Sequence, residues 1–425
     1  MTTRVVVIGG GVIGVTTAAA LARRGLQVTL LERSQTLGSG VTARNGGQLS
    51  YSYADALAAP SIWRDLPRLL AGLDPAFRIH ANLSPDFLGW AIRFLTNCTT
   101  ARFVANTRAV LRLALQSQSA LAVLEARHPE LDFKHTATGK LHLYRAAKKF
   151  AAAKAAMHLK NDLGCDQRAL AIDELLAIEP ALSAGRRNIV GGIYSPGDEA
   201  GDPYLFTQGL AALAAREYGL AVLTSTAGNQ FILEGRRIRA VRTPHGLIEA
   251  DLFVLAAGCD SAALAKTVGI RLPIYPMKGY SITLPATPGS PTVSITDTQA
   301  KIVFCRLQDQ VRIAGMAEIG RADDAIDARR IDSLMSAART CLPAAADWRD
   351  DPNAWTGLRP MTPDSRPIVG ATPIANLFLN CGHGMLGWTL ACGSAELTAA
   401  VMVEERRTPE TRALADDFSL TRFSR

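Results

Sequence analysis

The sequence predicts an α/β fold, α+β over the whole chain, in which one domain is discontinuous in sequence and a second, mixed-sheet domain is inserted into it. The first observation is a strand–helix–strand unit at residues 4–31, with a glycine-rich turn between the first strand and the helix. The second is a strand, a glycine-rich turn and a helix at residues 377–406, near the other end of the chain. The third is the mixture of strand and helix patterns between these units, which indicates an inserted domain.

The 425 residues are enough for two domains, and the 48% apolar and 20% charged composition is typical of an ordered globular protein. The net charge of 46 − 38 = +8 is spread without a long block of like charges. We therefore expect no nucleic-acid partner, but a surface suited to anionic substrates or lipid head groups. The seven cysteines show no metal-ligand or paired spacing, which predicts no metal site and reduced thiols.

The strand Arg4–Ile8 is a short β-branched run, and the strand Gln27–Leu31 follows a small-residue helix. Residues 5–22 are apolar or small, but the run contains four glycines and is marginal in length for a membrane span. We therefore expect neither a signal peptide nor a span there, and a protein that is not exported by this route.

The turn after the first strand carries the pattern Gly9-x-Gly11-x-x-Gly14, with Val12 and Ile13 opening the helix. In a Rossmann-like domain the first glycine permits the tight turn, the second lets backbone approach a pyrophosphate, and the third lets helix and strand pack closely. Glu32, at the end of the next strand, is placed to accept from ribose hydroxyls, with Arg33 beside it. The register of strand, helix, strand and acid predicts a dinucleotide site and disfavours NADP, but does not separate FAD from NAD.

Two later segments favour FAD. Residues 253–258 form a buried strand that ends at Ala257 and Gly258. Residues 379–387 form a strand followed by a glycine-rich turn and a helix; the turn residues predicted to contact the cofactor are Gly382, His383, Gly384, Met385, Leu386 and Gly387. A second helix N-terminus has no role in binding one NAD pyrophosphate, whereas it would stabilise charge at the pyrimidine end of a reduced flavin.

The chain resembles the D-amino-acid oxidase superfamily of flavoproteins and, within it, is similar to the bacterial D-amino acid dehydrogenases of the small-subunit type. The resemblance covers nearly the whole chain and rests on residues 45–48, 198–202, 275–281, 315–319, 355–364 and 382–389. It implies oxidative deamination: FAD accepts the α-hydrogen of a D-amino acid as hydride, and the imino acid hydrolyses to a keto acid and ammonia. Dehydrogenases of this type pass electrons to a membrane quinone rather than to oxygen.

The resemblance also implies a loop beside the flavin diphosphate and ring, which we call the cofactor loop (residues 42–48) and whose predicted contacts are Thr42, Arg44, Asn45, Gly46, Gly47 and Gln48. A plain exposed loop is the alternative. Some sarcosine-oxidising relatives tether FAD through a cysteine in the segment corresponding to residues 356–363. No cysteine lies there, so we expect non-covalent FAD, with Cys381 near enough to require a check.

Arg359 is the first candidate for the substrate site, because a substrate carboxylate calls for a planar, permanently charged partner. The alternative is a structural pair with Asp364. Arg366 would share carboxylate binding or favour an acidic side chain, unless it is a solvated loop residue. Among amine-oxidising flavoenzymes the Gly-Leu-Arg-Pro position supplies the carboxylate ligand, which is the position of Arg359 here.

Four further residues are candidates for the substrate or flavin site. His383 is interpreted as a turn residue near the flavin ring rather than a base, because hydride transfer from a neutral amine needs none. Tyr280 and Tyr53 are candidates to line the pocket, with a role as core aromatics the equal alternative. Lys278 would tune the flavin or touch the carboxylate, unless it is a surface cation.

We assign residues 1–50, 200–270 and 355–425 to the FAD-binding domain and residues 51–199 and 271–354 to the substrate domain. Residues 355–370 are predicted to be irregular because they are rich in proline. Residues 62–77 and 87–95 carry apolar helical faces with arginines nearby, namely Arg64, Arg68, Arg78 and Arg93. This composition suits an interfacial helix and a cytoplasmic protein attached to the inner membrane, and burial against the second domain is the alternative.

Rival functions stay open at this point. One is a dehydrogenase of a cyclic secondary amino acid such as D-proline or hydroxy-D-proline. Another, of a different class, is a non-catalytic FAD-carrying subunit of a larger complex, although such a scaffold has no need of a carboxylate ligand. An NAD-dependent dehydrogenase is the weakest rival.

Overall fold

The computed structural model describes residues 2–185, 188–403 and 408–424. Its strands, in chain order, are β1 (Arg4–Ile8), β2 (Gln27–Leu31), β3 (Gln48–Leu49), β4 (Phe77–Ile79), β5 (Lys140–Tyr144), β6 (Arg168–Leu170), β7 (Gly191–Ser195), β8 (Glu199–Ala200), β9 (Ala221–Leu223), β10 (Gln230–Glu234), β11 (Arg237–Thr243), β12 (Gly246–Glu249), β13 (Leu252–Leu255), β14 (Tyr275–Pro285), β15 (Ser294–Asp297), β16 (Ile302–Leu307), β17 (Gln310–Ile319), β18 (Trp355–Met361), β19 (Ile368–Ala371) and β20 (Leu377–Cys381). Its α-helices are α1 (Val12–Ala22), α2 (Ser61–Leu70), α3 (Pro85–Asn97), α4 (Thr100–Arg127), α5 (Ala147–Asn161), α6 (Ile172–Ile178), α7 (Pro203–Tyr218), α8 (Ser261–Lys266), α9 (Ala328–Cys341), α10 (Gly387–Val403) and α11 (Pro409–Phe418).

The first sheet has the order β19-β20-β13-β1-β2-β9, and all its pairings are parallel except β19 with β20. Alternate residues of β1 enter different cores: Val5 and Val7 face α1, α7 and α10, whereas Val6 and Ile8 face β10–β12 and α8. A sheet buried on both faces explains the unbroken apolar strands. The predicted α/β class and the N-terminal strand–helix–strand unit are confirmed, and the two strands have the predicted bounds.

One helical stretch among the described residues, Gly384–Val403, is long and apolar enough by composition to cross a membrane. More than half of its apolar window, 56%, is buried inside the protein. Its helix α10 packs against α1 and α4 on the face of the first sheet that Val5 and Val7 enter, and we call this packed region the first core. Packing in this core therefore accounts for the apolar composition of α10.

The second sheet has the order β18-β14-β17-β16-β15-β5-β7-β6, with β4 paired to β17. One face packs on α9 and forms the second core through alternate residues of β14, namely Tyr280, Ile282 and Leu284. The residues between them on β14 face the cofactor loop, since the Ser281 hydroxyl donates to the Arg44 carbonyl at 3.0 Å. The loop therefore lies on the face of the second sheet opposite α9, which we call the inner face.

The structure corrects one prediction at the C-terminal side. Residues 355–370 are not irregular, because they contain the regular strands β18 and β19. Strand β18 also pairs with β14 along its whole length, from Tyr275–Met361 to Ser281–Trp355. By strand pairing, β18 belongs to the second sheet, and the division of the chain into an FAD-binding and a substrate domain stays a prediction.

His135 connects α4 to the strand that borders the cofactor loop. Its Nδ1 lies 2.8 Å from a Glu125 carboxylate oxygen, and its Nε2 lies 3.2 Å from Glu199 on β8, which pairs with β3. Burial disfavours the imidazolium, but the hydrogen bonds and charges of the two glutamates outweigh it and raise the pKa of His135 to about 9. The protonated ring therefore stabilises this connection at neutral pH.

We expect His135→Gln to destabilise the protein at neutral pH but not in alkali. The folded-state pKa lies above the unfolded value of about 6.5, so the stabilisation is complete below that pH and is lost as the pH rises through about 9. After solvent screening we expect about 1–2 kcal/mol. Denaturant unfolding of both proteins at pH values on either side of this window measures it; a difference that does not change with pH would contradict it.

Candidate active site

A cavity of about 670 Å³ opens at the carboxyl ends of β1, β2, β13 and β20, where open α/β sheets bind ligands. Many of the residues predicted to bind cofactor line it together: Gly9, Gly11, Val12, Ile13, Glu32, Arg33, Thr42, Asn45, Ala257, Gly258, Gly382, His383, Gly384 and Gly387. They come from five separate stretches of sequence. The fold therefore brings the two predicted glycine-rich turns to one cavity.

Other predicted cofactor contacts are not among the described residues that line the cavity: Gly14, Arg44, Gly46, Gly47, Gln48, Met385 and Leu386. Gly14 has the packing role expected of the third glycine, because a Cβ there would overlap the Gly9 carbonyl oxygen. The end of the cofactor loop turns toward the second sheet, where the Gln48 side-chain amide donates to Ile295 and Phe304 carbonyls at 3.2 Å. Their contacts with a bound cofactor stay predictions.

The turn between β1 and α1 is organised around Glu32. One carboxylate oxygen accepts from the Gly10 N–H at 2.7 Å and the other from the Ser34 N–H at 2.8 Å. The carboxylate thereby ties the glycine-rich turn after β1 to the segment after β2 while still lining the cavity. A Cβ on Gly11 would meet only the Thr42 hydroxyl, at 3.4 Å, so the backbone at Gly11 is open to a ligand.

The second glycine-rich turn places His383 in the cavity wall in a neutral form. Its Nε2 lies 3.0 Å from the Ser394 hydroxyl of α10, and burial lowers the pKa of the imidazole to about 3. A ring with this pKa is uncharged at neutral pH. Gly382 and Gly384 on either side have φ of 76° and 55°, which favours glycine at both positions. The geometry agrees with the interpretation of His383 as a turn residue, and its neutral imidazole is not a charged acid.

Three buried polar atoms in the cavity wall have no hydrogen-bond partner among the described residues: Thr356 Oγ1, Asn380 Oδ1 and Trp388 Nε1. Asn380 is held in orientation because its amide nitrogen donates to Thr17 at 2.9 Å. Buried polar groups are normally paired, so these atoms fit a polar ligand such as a flavin dinucleotide. The sequence prediction missed all three, although a lone asparagine in the apolar strand β20 is a visible signal for Asn380.

Arg359 lies on the inner face of the second sheet. Its chain neighbours Leu358 and Pro360 line the cavity, and its guanidinium crosses Gly279, where a Cβ would overlap it. One nitrogen donates to the Met316 carbonyl at 3.2 Å. No carboxylate of the described residues lies within ion-pair distance, and burial lowers its pKa to about 10. Arg359 is therefore a charged, partly buried group with free donors.

The alternative pairing of Arg359 with Asp364 is not what the structure contains. Asp364 pairs with Arg366 at 3.2 Å and with Arg422 at 2.7 Å. Arg366 also approaches Asp417 at 3.7 Å. Arg366 is therefore an ion-pair residue rather than a solvated loop residue, and its shared role in carboxylate binding stays a prediction.

The two candidate tyrosines lie apart from the cavity. Tyr280 points into the second core, where its hydroxyl donates to Glu318 at 3.2 Å. The structure thus favours the core alternative for Tyr280. Tyr53 stacks on the buried His142 ring with centroids 3.8 Å apart. Lys278 is not among the described residues that line the cavity, and it is not a surface cation, because its buried ammonium pairs with Asp323 at 2.8 Å.

Comparison with known proteins agrees with this geometry. Residues 4–401 match the family described as FAD dependent oxidoreductase. The chain belongs to this family. The predicted flavoprotein identity and the choice of FAD over NAD are therefore confirmed, and the NAD-dependent rival is excluded.

Similar curated proteins cover nearly the whole chain. The chain is 41% identical to "D-amino acid dehydrogenase 2" of Ralstonia nicotianae over 96% of its own length and 98% of the relative's. It is also 41% identical to a D-amino acid dehydrogenase of Paramagnetospirillum magneticum, over 93% and 94% of the two lengths. Among solved structures, L-proline dehydrogenase from P. horikoshii is 20% identical with a TM-score of 0.78, covering 100% and 98% of the two chains. This last likeness shows the fold.

The residues in the cavity fit FAD. The glycine turn at α1 and Glu32 would hold the diphosphate and ribose, and the turn before α10 would face the flavin ring. Cys259 and Cys381 also line the cavity, but burial raises the pKa of each thiol to about 12, which disfavours the reactive thiolate. Non-covalent attachment stays a prediction.

Proposed function

We propose that this chain is a D-amino acid dehydrogenase, which oxidises D-amino acids to 2-oxo acids and ammonia. The observation that carries the proposal is Arg359, a partly buried cation without a carboxylate partner among the described residues, next to the FAD cavity. A cation in such a position requires an anionic ligand to offset its burial. The α-carboxylate of an amino acid has this charge, and the names of the similar curated proteins specify the D-series.

In this proposal Arg359 binds and orients the substrate carboxylate through paired N–H···O bonds. Its hydrogen bond to Met316 and its contact with Gly279 hold the guanidinium in place before substrate binds. When bound, FAD supplies the acceptor for the α-hydrogen as hydride. Burial lowers the pKa of His383 to about 3, so its imidazole is a poor proton acceptor and this turn supplies no base for a protonated amine.

The test is anaerobic reduction of the purified holoprotein. D- and L-amino acids, glycine, sarcosine and D-prolines are mixed in turn with the enzyme, and loss of flavin absorbance is followed before reoxidation by oxygen or a quinone. We expect rapid bleaching by D- but not L-amino acids. Faster bleaching by D-prolines would favour the cyclic-amine rival, and no bleaching by any amine would favour a non-catalytic FAD-carrying subunit.

We further propose that electrons pass to a quinone and that the enzyme attaches peripherally to the cytoplasmic face of the inner membrane. Support comes from exposed apolar side chains on α2, α3 and their connection: Trp63, Leu70, Leu73, Leu83, Leu88 and Ile92. Four exposed arginines lie among or beside them, namely Arg64, Arg68, Arg78 and Arg93. Apolar anchors combined with basic residues suit an anionic lipid surface.

We expect the double variant Trp63→Glu, Ile92→Glu to lose at least about tenfold in binding to vesicles that contain anionic lipid, since it places two charges where apolar anchors would enter the interface. Cosedimentation with vesicles at low salt measures this. Val123→Glu is the matched control, because Val123 is similarly exposed but lies on α4. Equal binding by the double variant and the control would contradict the membrane proposal without affecting the proposed reaction.

A further inference from the structure

Arg312 is a buried guanidinium that connects the second sheet to the cofactor loop. It lies on β17 and is 2% exposed. Its Nη1 donates to the Asn45 carbonyl at 3.1 Å, its Nη2 to an Asp202 carboxylate oxygen at 3.3 Å, and its Nε to the Thr283 hydroxyl at 3.4 Å. Each of its three nitrogens therefore has a partner on a different segment.

Asp202 makes this burial possible. It is the N-cap of α7, and its other carboxylate oxygen accepts from the Tyr204 and Leu205 N–H groups. The adjacent Gly201 N–H donates to the Gly47 carbonyl at 2.9 Å. The charge of Arg312 is thus balanced by a carboxylate that is itself fixed at a helix end, and both groups border the cofactor loop.

The hydrogen bond to Asn45 sets the direction of one peptide. In a planar trans peptide the C=O of one residue and the N–H of the next point in opposite directions. Because Arg312 holds the Asn45 carbonyl toward the second sheet, the Gly46 N–H points away from that sheet. Asn45, the first residue of this peptide, lines the FAD cavity, and no acceptor of the described residues takes the Gly46 N–H.

We propose that Arg312 is a positioning residue for FAD, which fixes the Asn45–Gly46 peptide so that its N–H is presented to the cofactor. The Ser281 hydroxyl likewise donates to the carbonyl of Arg44, the residue before Asn45, at 3.0 Å. Two side chains of the second sheet thus hold two consecutive carbonyl groups out of the cavity. The role concerns FAD alone and does not depend on which amine is oxidised.

The test is Arg312→Met, which keeps an unbranched side chain but removes every donor. We expect the dissociation constant for FAD to rise about 10- to 100-fold, because a charge-assisted hydrogen bond to the loop is lost. We also expect the visible flavin band to change shape. Arg312→Lys, which can restore one donor at a time, should recover part of the affinity. Arg306→Met is the matched control, because Arg306 lies on the neighbouring strand and, among the described residues, its side chain bonds the Gln308 carbonyl alone, at 3.0 Å.

The dissociation constant is measured by titrating apoprotein with FAD, alongside the denaturant midpoint without FAD. A purely structural role would lower the midpoint of Arg312→Met but leave the FAD dissociation constant and flavin spectrum as in the wild type, and would overturn the proposal. An equal loss of affinity in Arg306→Met would do the same. If Arg312→Met does not fold, wild-type affinity in a folded Arg312→Lys variant, with an unchanged spectrum, would also overturn it.

Discussion

Arg359→Ala is expected to raise the KM for D-amino acids by about two orders of magnitude while the protein remains yellow. The substitution removes a charged, paired donor from the substrate carboxylate, which costs about 3 kcal/mol, or ~10²-fold. FAD binding should persist, because Arg359 bonds Met316 rather than the glycine turns that line the cavity. Steady-state kinetics with a quinone analogue and flavin absorbance of the purified variant measure the two quantities.

Two variants test the interpretation of Arg359. Arg359→Lys keeps the charge but not the planar fork, so its KM should lie between those of the wild type and the alanine variant. Arg366→Ala is the control, since Arg366 pairs with Asp364 and Asp417, and its KM should stay within about twofold of wild type. An unchanged KM in Arg359→Ala would remove this residue from the substrate site.

The N-terminal unit was predictable because its signals are local. The run of β-branched residues, the three glycines and the acid at Glu32 each restrict a short segment, and their spacing agrees with a single geometry. The Asp202–Pro203 start of α7 was predictable for the same reason, since a capping side chain and a proline at the first position act on the adjacent turn.

The strand β18 was not predictable in this way. It contains Pro360, which pairs opposite Pro276 of β14, and prolines normally indicate a break in a strand. The pairing partner lies about 80 residues earlier in the chain, a separation that local periodicity does not report. Only the tertiary context of the second sheet gives this segment its regular structure.

The position of Tyr280 shows a related limit. Neighbouring residues of a strand face opposite sides of a sheet, so a shift of one position exchanges cavity and core. The register between β14 and β17 shifts between Lys278 and Tyr280, and the tyrosine enters the second core. A bulge of this kind depends on the partner strand. The sequence therefore identified the strand that carries Tyr280 but not which face of the sheet this side chain takes.

Gly11→Ala and Gly14→Ala should separate cofactor binding from folding. At Gly14 the added Cβ would overlap the Gly9 carbonyl oxygen, a backbone atom that cannot move without displacing β1 or α1. We expect a loss of more than about 3 kcal/mol in the free energy of unfolding, or no soluble protein. At Gly11 the Cβ meets only the Thr42 hydroxyl at 3.4 Å, and φ of −74° is accessible to alanine.

Gly11→Ala should therefore fold with a stability within about 1 kcal/mol of wild type, yet bind FAD ~10²-fold more weakly, because the methyl group occupies the space through which a pyrophosphate approaches the helix N-terminus. Denaturant unfolding of apoprotein and an FAD titration measure the two effects separately. If Gly11→Ala bound FAD with wild-type affinity, the diphosphate would have to lie elsewhere in the cavity. If it lost affinity only in proportion to stability, Gly11 would be a packing residue like Gly14. The distinct prediction for each glycine follows from which atoms surround it, not from the motif they share.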